Sequence, residues 1–288
     1  AVGQAAMSTT TTGANNVGIG LSALYANTTG TYNVAVGTYS SDANTTGVNN
    51  TALGYHSLSA NTTANNNTGI GFYALFGNTT GAQNTAVGTY AMGVGVATGT
   101  YNTSLGYYSG YNLTSGINNT LVGAHSGDDL TDADYNTTLG MYALATDTKG
   151  NKSVAIGYAS LYIQNFTSST DSYNVAVGYN AGNSVTTGIH NTLLGGQAGD
   201  ALTDADYNVS VGMSSLTADT LGSRSTAVGH SALEAQNFTS ATNTYNTAVG
   251  NNAGKAITTG TENTILGGAA GDALTDADFN VSVGVSAL

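Results

Sequence analysis

The five residues Asn33-Val34-Ala35-Val36-Gly37 are rewritten along the whole chain, as Asn50-Thr51-Ala52-Leu53-Gly54, Asn67-Thr68-Gly69-Ile70-Gly71 and Asn84-Thr85-Ala86-Val87-Gly88. The closing glycine recurs from Gly3 to Gly284 at steps of 17 residues, with one step of 18 (Gly88 to Gly106) and two of 21 (Gly157 to Gly178, Gly229 to Gly250). A fixed period of this length restricts the chain to a repeat architecture, in which each unit buries its apolar groups only against its neighbours. Length then counts coils rather than globular cores.

Aligning the coils on the closing glycine gives their internal order. The residue before the glycine is Val, Ile or Leu, the one before that is usually small, and the third is Val or Thr, as in Val34-Ala35-Val36 and Thr51-Ala52-Leu53. Alternation with period 2 puts the Val/Thr and the Val/Ile/Leu on one face of a short strand and the small residue on the other. The larger pair is expected to face inward. Three residues after the glycine comes Ala or Ser (Ala23, Ser40, Ser57, Ala74), then often Leu, Met or Gly (Leu24, Leu58, Met92, Gly110), which reads as a second short strand. Asn27-Thr28-Thr29-Gly30 reads as a turn, because Gly and Asn tolerate positive φ. Two strands and two turns per coil make an all-β, parallel β-solenoid with 17-residue coils.

Asn opens nearly every five-residue block, with Ser153 and Ser225 as exceptions. One amide per coil at one position is expected to form a ladder of hydrogen bonds. Tyr39, Tyr73 and Tyr90 share a position with His56 and His125, which suggests stacking from coil to coil. Exposed tyrosines of this kind also suit sugars or lateral packing.

Composition excludes several functions. Only 7% of residues are charged, the net charge is −12, and four Lys plus Arg leave too few cations to hold nucleic-acid phosphates. No apolar run of 18 residues is present, so no membrane insertion is expected in this segment. The chain has no cysteine, and its four histidines lie at scattered coil positions without a nucleophile nearby, so an enzyme is not expected. Both ends fall inside a repeat, as in a segment of a longer chain.

Residues 1–288 read as a single solenoid shaft in two styles: plain 17-residue coils over 1–123, and 72-residue super-repeats over 124–288. The larger unit carries Leu130-Thr131-Asp132-Ala133-Asp134, which returns at Leu202–Asp206 and Leu274–Asp278. Asp128, Asp132, Asp134, Asp200, Asp204, Asp206, Asp272, Asp276 and Asp278 gather hard oxygen ligands in turns, a pattern that suits calcium as a cofactor. A solubilising, turn-capping role is the alternative. The two 21-residue steps insert Gln164-Asn165-Phe166-Thr167-Ser168 and Gln236-Asn237-Phe238-Thr239-Ser240. Gln164, Asn165, Phe166, Gln236, Asn237 and Phe238 are candidate recognition residues for carbohydrate or a flat protein surface, since an aromatic among hydrogen-bonding groups fits either. Folding of each Phe back over its widened coil is the competing expectation.

Ser153-Val154-Ala155-Ile156-Gly157 resembles the head repeat of YadA-like trimeric autotransporter adhesins. Asn84 to Met92 resembles repeats of phage tail fibres, and the likeness covers practically the whole chain. It implies a left-handed parallel β-roll, a side-by-side homotrimer and a role in attachment. The 17-residue coil is longer than the adhesin head repeat, and neither a coiled-coil stalk nor a membrane anchor is present in this segment.

The stripe Ala35, Ala52, Gly69, Ala86 and Ser104 is expected to face outward and pack between the three chains, with a plain solvent face as the alternative. The expected function is an extracellular fibrous attachment protein at a cell or virion surface: the shaft of a trimeric phage tail fibre or bacterial adhesin, meeting a carbohydrate or protein receptor. A purely structural filament or matrix component is the alternative. Ice binding is set aside on the expectation that Thr51, Thr68 and Thr85 point inward.

Overall fold

The computed structural model describes residues 1–94 and 97–288. The chain is a parallel β-solenoid of about 16 turns, without helix among the described residues. It divides into two compact units, Ala1–Thr138 and Leu139–Leu288. From Val17–Ile19 on, every coil contributes one three-residue strand just before its closing glycine. Around the two 21-residue steps short parallel pairs are added, Gly150–Asn151 with Thr170–Asp171 and Gly222–Ser223 with Thr242–Asn243. In the first unit Val17–Ile19 pairs with Val34–Val36, which pairs with Thr51–Leu53, and so on to Thr120–Val122, always parallel and 17 residues apart except at the 18-residue step, where Thr85 pairs with Thr103. In the second unit the same pairing runs from Val154–Ile156 to Val281–Val283 and absorbs both 21-residue steps without a slip.

The strand is turned the other way from the sequence expectation. Ala35, Ala52, Ala86 and Ser104 are fully buried, while the residues on either side face out. Leu53, Leu105 and Leu139 are 46 to 50% exposed. Alternation fixes which residues share a face but leaves open which face lies inside. What decides it is the volume arriving from elsewhere in the coil. Leu24, Leu58 and Leu75, four residues after the glycine, fill the interior completely, and only a small strand residue fits beside them. The exceptions follow the same rule. Where that fourth position is Gly110 and Gly127, the strand residue between them is Leu121, and a side-chain carbon on either glycine would meet its methyl groups at 2.8 and 3.0 Å. Gly182 and Gly199 make room in the same way for Leu193, as do Gly254 and Gly271 for Ile265. Close packing at native density requires this exchange of volume between neighbouring positions.

The expected second strand is a run of stacked turns instead. The second and fourth residues after the glycine sit at positive φ, as in Tyr73 (+56°) and Leu75 (+51°), and an extended strand is incompatible with that. Neighbouring turns still bond coil to coil, for example the Leu58 amide to the Ala74 carbonyl at 3.0 Å. The closing glycines are required twice over. Gly71 has φ +134°, and a Cβ on it would lie 2.5 Å from the Gly88 carbonyl oxygen of the next coil.

The asparagine ladder forms as expected. Asn50 N–H donates to Asn33 Oδ1 at 2.9 Å, Asn67 N–H to Asn50 Oδ1 at 2.9 Å, and each Nδ2 donates to a turn carbonyl such as Gly81. A second internal row, Asn27, Asn44, Asn61 and Asn78, is also amide to amide. These side chains satisfy backbone groups sealed from water, which are costly to leave unpaired.

Candidate functional site

Four features were candidates from sequence: the aspartate turns, the inserted loops, the tyrosine rows and the small-residue stripe. The stripe lies inside, so it is no surface. The exterior of the strand row carries two columns instead. In the first unit Thr51, Thr68, Thr85, Thr103, Thr120 and Thr137 form one, and Leu53, Ile70, Val87, Leu105 and Val122 form the other. The ground for setting ice binding aside therefore falls, because the threonine column points outward.

Six of the nine aspartates bond to a neighbouring coil. Asp132 accepts from Ser115 Oγ at 2.7 Å, Asp134 from the Ile117 amide at 2.8 Å, Asp204 from Thr187 Oγ1 at 2.6 Å and Asp206 from the Ile189 amide at 2.8 Å. Asp278 takes both the amide (2.7 Å) and the hydroxyl (3.0 Å) of Thr261, and Asp276 accepts from Thr275 at 3.2 Å. Asp128 pairs with His125 Nδ1 at 2.9 Å, and Asp200 accepts from Thr217 Oγ1 at 2.5 Å. Burial raises the pKa of both, His125 partly offsetting it at Asp128. Asp272 is exposed. Among the described residues no three acidic or histidine side chains gather into a set able to hold a metal ion. What the geometry does supply is a coil-to-coil cap for each turn.

The inserted loops are corrected from recognition elements to packing devices in four of their six residues. Phe166 and Phe238 are 5 and 7% exposed, and Gln164 and Gln236 are fully buried; only Asn165 and Asn237 face water. The reason is visible in the two breaks of the asparagine ladder. Ser153 and Ser225 are too short to reach, and the glutamine of the widened coil takes over. Gln164 Nε2 donates to Asp147 Oδ2 (2.6 Å) and Ser153 Oγ (3.0 Å), and its Oε1 accepts from Asn174 Nδ2 at 2.9 Å. Gln236 repeats the arrangement with Asp219, Ser225 and Asn246. Asp147 is fully buried without a cation, and burial lifts its pKa against four stabilising donors: Gln164 and the amides of Phe166, Gly150 and Lys149. Neither Asp147 nor Asp219 was singled out from sequence. Their position six residues before Ser-Val/Thr-Ala, where other coils mostly carry Asn or an aliphatic residue, was the available signal only once the interior row was known.

The aromatic rows stack as expected. Tyr39, His56, Tyr73, Tyr90, Tyr108 and His125 follow each other at centroid separations of 4.9, 5.2, 5.3, 5.0 and 5.5 Å. In the second unit Tyr173, His190 and Tyr207 form a shorter stack at 5.3 and 4.9 Å. Lys152 lies 4.9 Å over the Tyr173 ring and Arg224 4.7 Å over that of Tyr207, so a cation covers each end. Ring faces used in this way serve the solenoid itself rather than a ligand.

Compared with protein-family models, curated proteins and solved structures, the chain finds no match in any of the three.

Proposed function

We propose that this chain is the shaft of an extracellular attachment fibre built from three copies side by side, as its resemblance to adhesin heads and tail-fibre repeats implies. The observation that carries this reading is the outer strand face. In coil after coil it offers an aliphatic side chain beside a Thr or Val, with Leu53, Leu105 and Leu266 at 46 to 48% exposure. Contiguous apolar surface of this kind marks an interaction site in water-facing proteins. Its period is its own complement, so a second copy with the same spacing meets it without adjustment. The interface is therefore assigned to the Val/Ile/Leu column and not to the alanine stripe. A purely structural filament shares this architecture and differs only in having no receptor.

Sedimentation equilibrium tests the assembly. The expected mass is three times that of the chain, and Leu105→Glu is expected to lower it to a single chain, since each copy would bury a charge against its neighbours. A wild-type monomer overturns the trimer.

The outward column Thr51 to Thr137 favours a second reading. Its hydroxyls and methyls repeat at the strand spacing of about 4.8 Å, a regular array suited to ordered water or an ice surface. The same mass measurement separates the two, because a trimer through this face covers the array and a monomer leaves it open.

A further inference from the structure

In the first unit Tyr107, Tyr108 and Tyr111 of one coil pack their rings together, with centroids 4.5 Å apart for both Tyr107–Tyr108 and Tyr108–Tyr111. One coil of the second unit repeats this triple with the middle ring missing: Tyr158, Ala159 and, three residues on, Tyr162. Ala159 keeps the backbone of the residue it replaces, with φ +51° against +56° for Tyr108. The difference is the side chain alone. Above Ala159 lies an open cleft of about 450 Å³, walled by Tyr142, Tyr158, Tyr162 and Tyr179 and by the amides of Asn180 and Asn183. That volume falls within the roughly 300–1,000 Å³ of small-ligand sites.

The walls are held in place. Tyr142 meets Tyr158 and Tyr162 edge to face at 6.1 and 5.9 Å, and Tyr158 stacks on Tyr179 at 5.5 Å. Asn183 Nδ2 donates to the Ala159 carbonyl at 3.1 Å, which fixes that amide at the floor. The arrangement is also singular within the repeat. At the corresponding positions 72 residues on stand Ser214, His230, Glu234 and Asn251, so the tyrosines are no requirement of the coil.

We propose that this notch binds a neutral saccharide, with one pyranose ring occupying the place of the absent tyrosine ring. The coil on one side presents an aromatic at the stacking position, Tyr142, and the coil on the other presents an amide, Asn180. A flat aromatic guest would gain most from rings on both sides. A pyranose has an apolar C–H face to lay on a tyrosine and a rim of hydroxyls that need amide partners. No acidic or basic side chain lines the cleft, which matches an uncharged sugar and disfavours an acidic one. This assignment supplies a ligand class to the attachment reading and rests on it for its biological use; the binding itself needs no trimer.

Saturation-transfer NMR on the whole chain tests it, with methyl β-D-glucopyranoside, methyl β-D-galactopyranoside and N-acetylglucosamine as probes and p-cresol as the flat aromatic control. Transfer to the ring C–H protons of at least one sugar is expected. Ala159→Tyr restores the triple seen at Tyr107-Tyr108-Tyr111, so it is expected to fold with an unchanged or raised melting temperature. It should also weaken that sugar by about tenfold or more. Tyr158→Ala is expected to weaken it as well. The proposal is overturned if no sugar receives saturation, if folded Ala159→Tyr binds as wild type does, or if p-cresol alone binds. Sugar binding by a chain that sediments as a monomer would support the notch while removing the trimeric shaft.

Discussion

Gly71→Ala is expected to destabilise the chain by more than about 3 kcal/mol, because two costs fall on one methyl group. The first is the backbone: φ +134° is a region that L side chains rarely adopt. The second is space, since the new Cβ would sit 2.5 Å from the Gly88 carbonyl oxygen and 2.7 Å from its carbon, and main chain in a hydrogen-bonded stack cannot retreat. Gly69→Ala, two residues away, is the control. Its Cβ would meet the Ser57 hydroxyl at 2.7 Å, a side chain that can rotate. Ala52 already stands at that strand position over Ser40, whose hydroxyl turns to the Gly37 carbonyl at 3.0 Å. Urea unfolding should therefore show a large loss for Gly71→Ala and a small one for Gly69→Ala. Equal midpoints for the two variants would contradict the close approach of the glycine column.

Asn67→Leu is expected to cost about 1–3 kcal/mol although it keeps the side-chain volume nearly constant. The amide of Asn67 is fully buried. Its Oδ1 receives the Asn84 N–H at 2.9 Å and its Nδ2 donates to the Gly81 carbonyl at 2.8 Å. Leucine leaves the buried Asn84 N–H unpaired, at about 1–3 kcal/mol of lost hydration, while the Gly81 carbonyl keeps its second donor, Asn78 Nδ2 at 2.9 Å. Asn67→Asp should be worse, because it points a second acceptor at the Gly81 carbonyl and buries a charge. In a solenoid the damage is local, so hydrogen exchange should rise first at Asn84 and in the coils on either side. Unchanged protection at Asn84 in Asn67→Leu would contradict the ladder's role.

The sequence disclosed the register fully and the inside of the coil poorly. Period 17 and the Asn column are visible because stacking demands the same residue at the same place in each coil. Orientation was not visible, since Val34-Ala35-Val36 alternates identically whichever face is buried. The clue was displaced in sequence: Leu58 and Leu75 already fill the interior, and Leu121 enlarges the strand residue only where Gly110 and Gly127 have removed those leucines. The same glycines also marked the positive φ that rules out a second strand, for Gly127 at +57° stands where Leu58 at +53° does. At the inserted loops, Phe166 and Gln164 look like a binding surface in one dimension. They turn inward because Ser153 has left a gap in the ladder that only a longer amide reaches. The tyrosine notch was legible in part: the rows were visible, but a missing ring becomes a cleft only once its neighbours are known to stack.

Which face of the strand lies inside is the claim on which the rest depends, and the absence of native cysteine makes it directly measurable. In separate variants, Ala86→Cys and Val87→Cys place one thiol each on adjacent residues of one strand. Maleimide labelling of the folded chain is expected to leave Ala86→Cys unreacted until denaturant is added. Val87→Cys should label when the chain is dilute and become protected as the chain assembles. Rapid labelling of folded Ala86→Cys beside a protected Val87→Cys would reverse the strand and contradict the account.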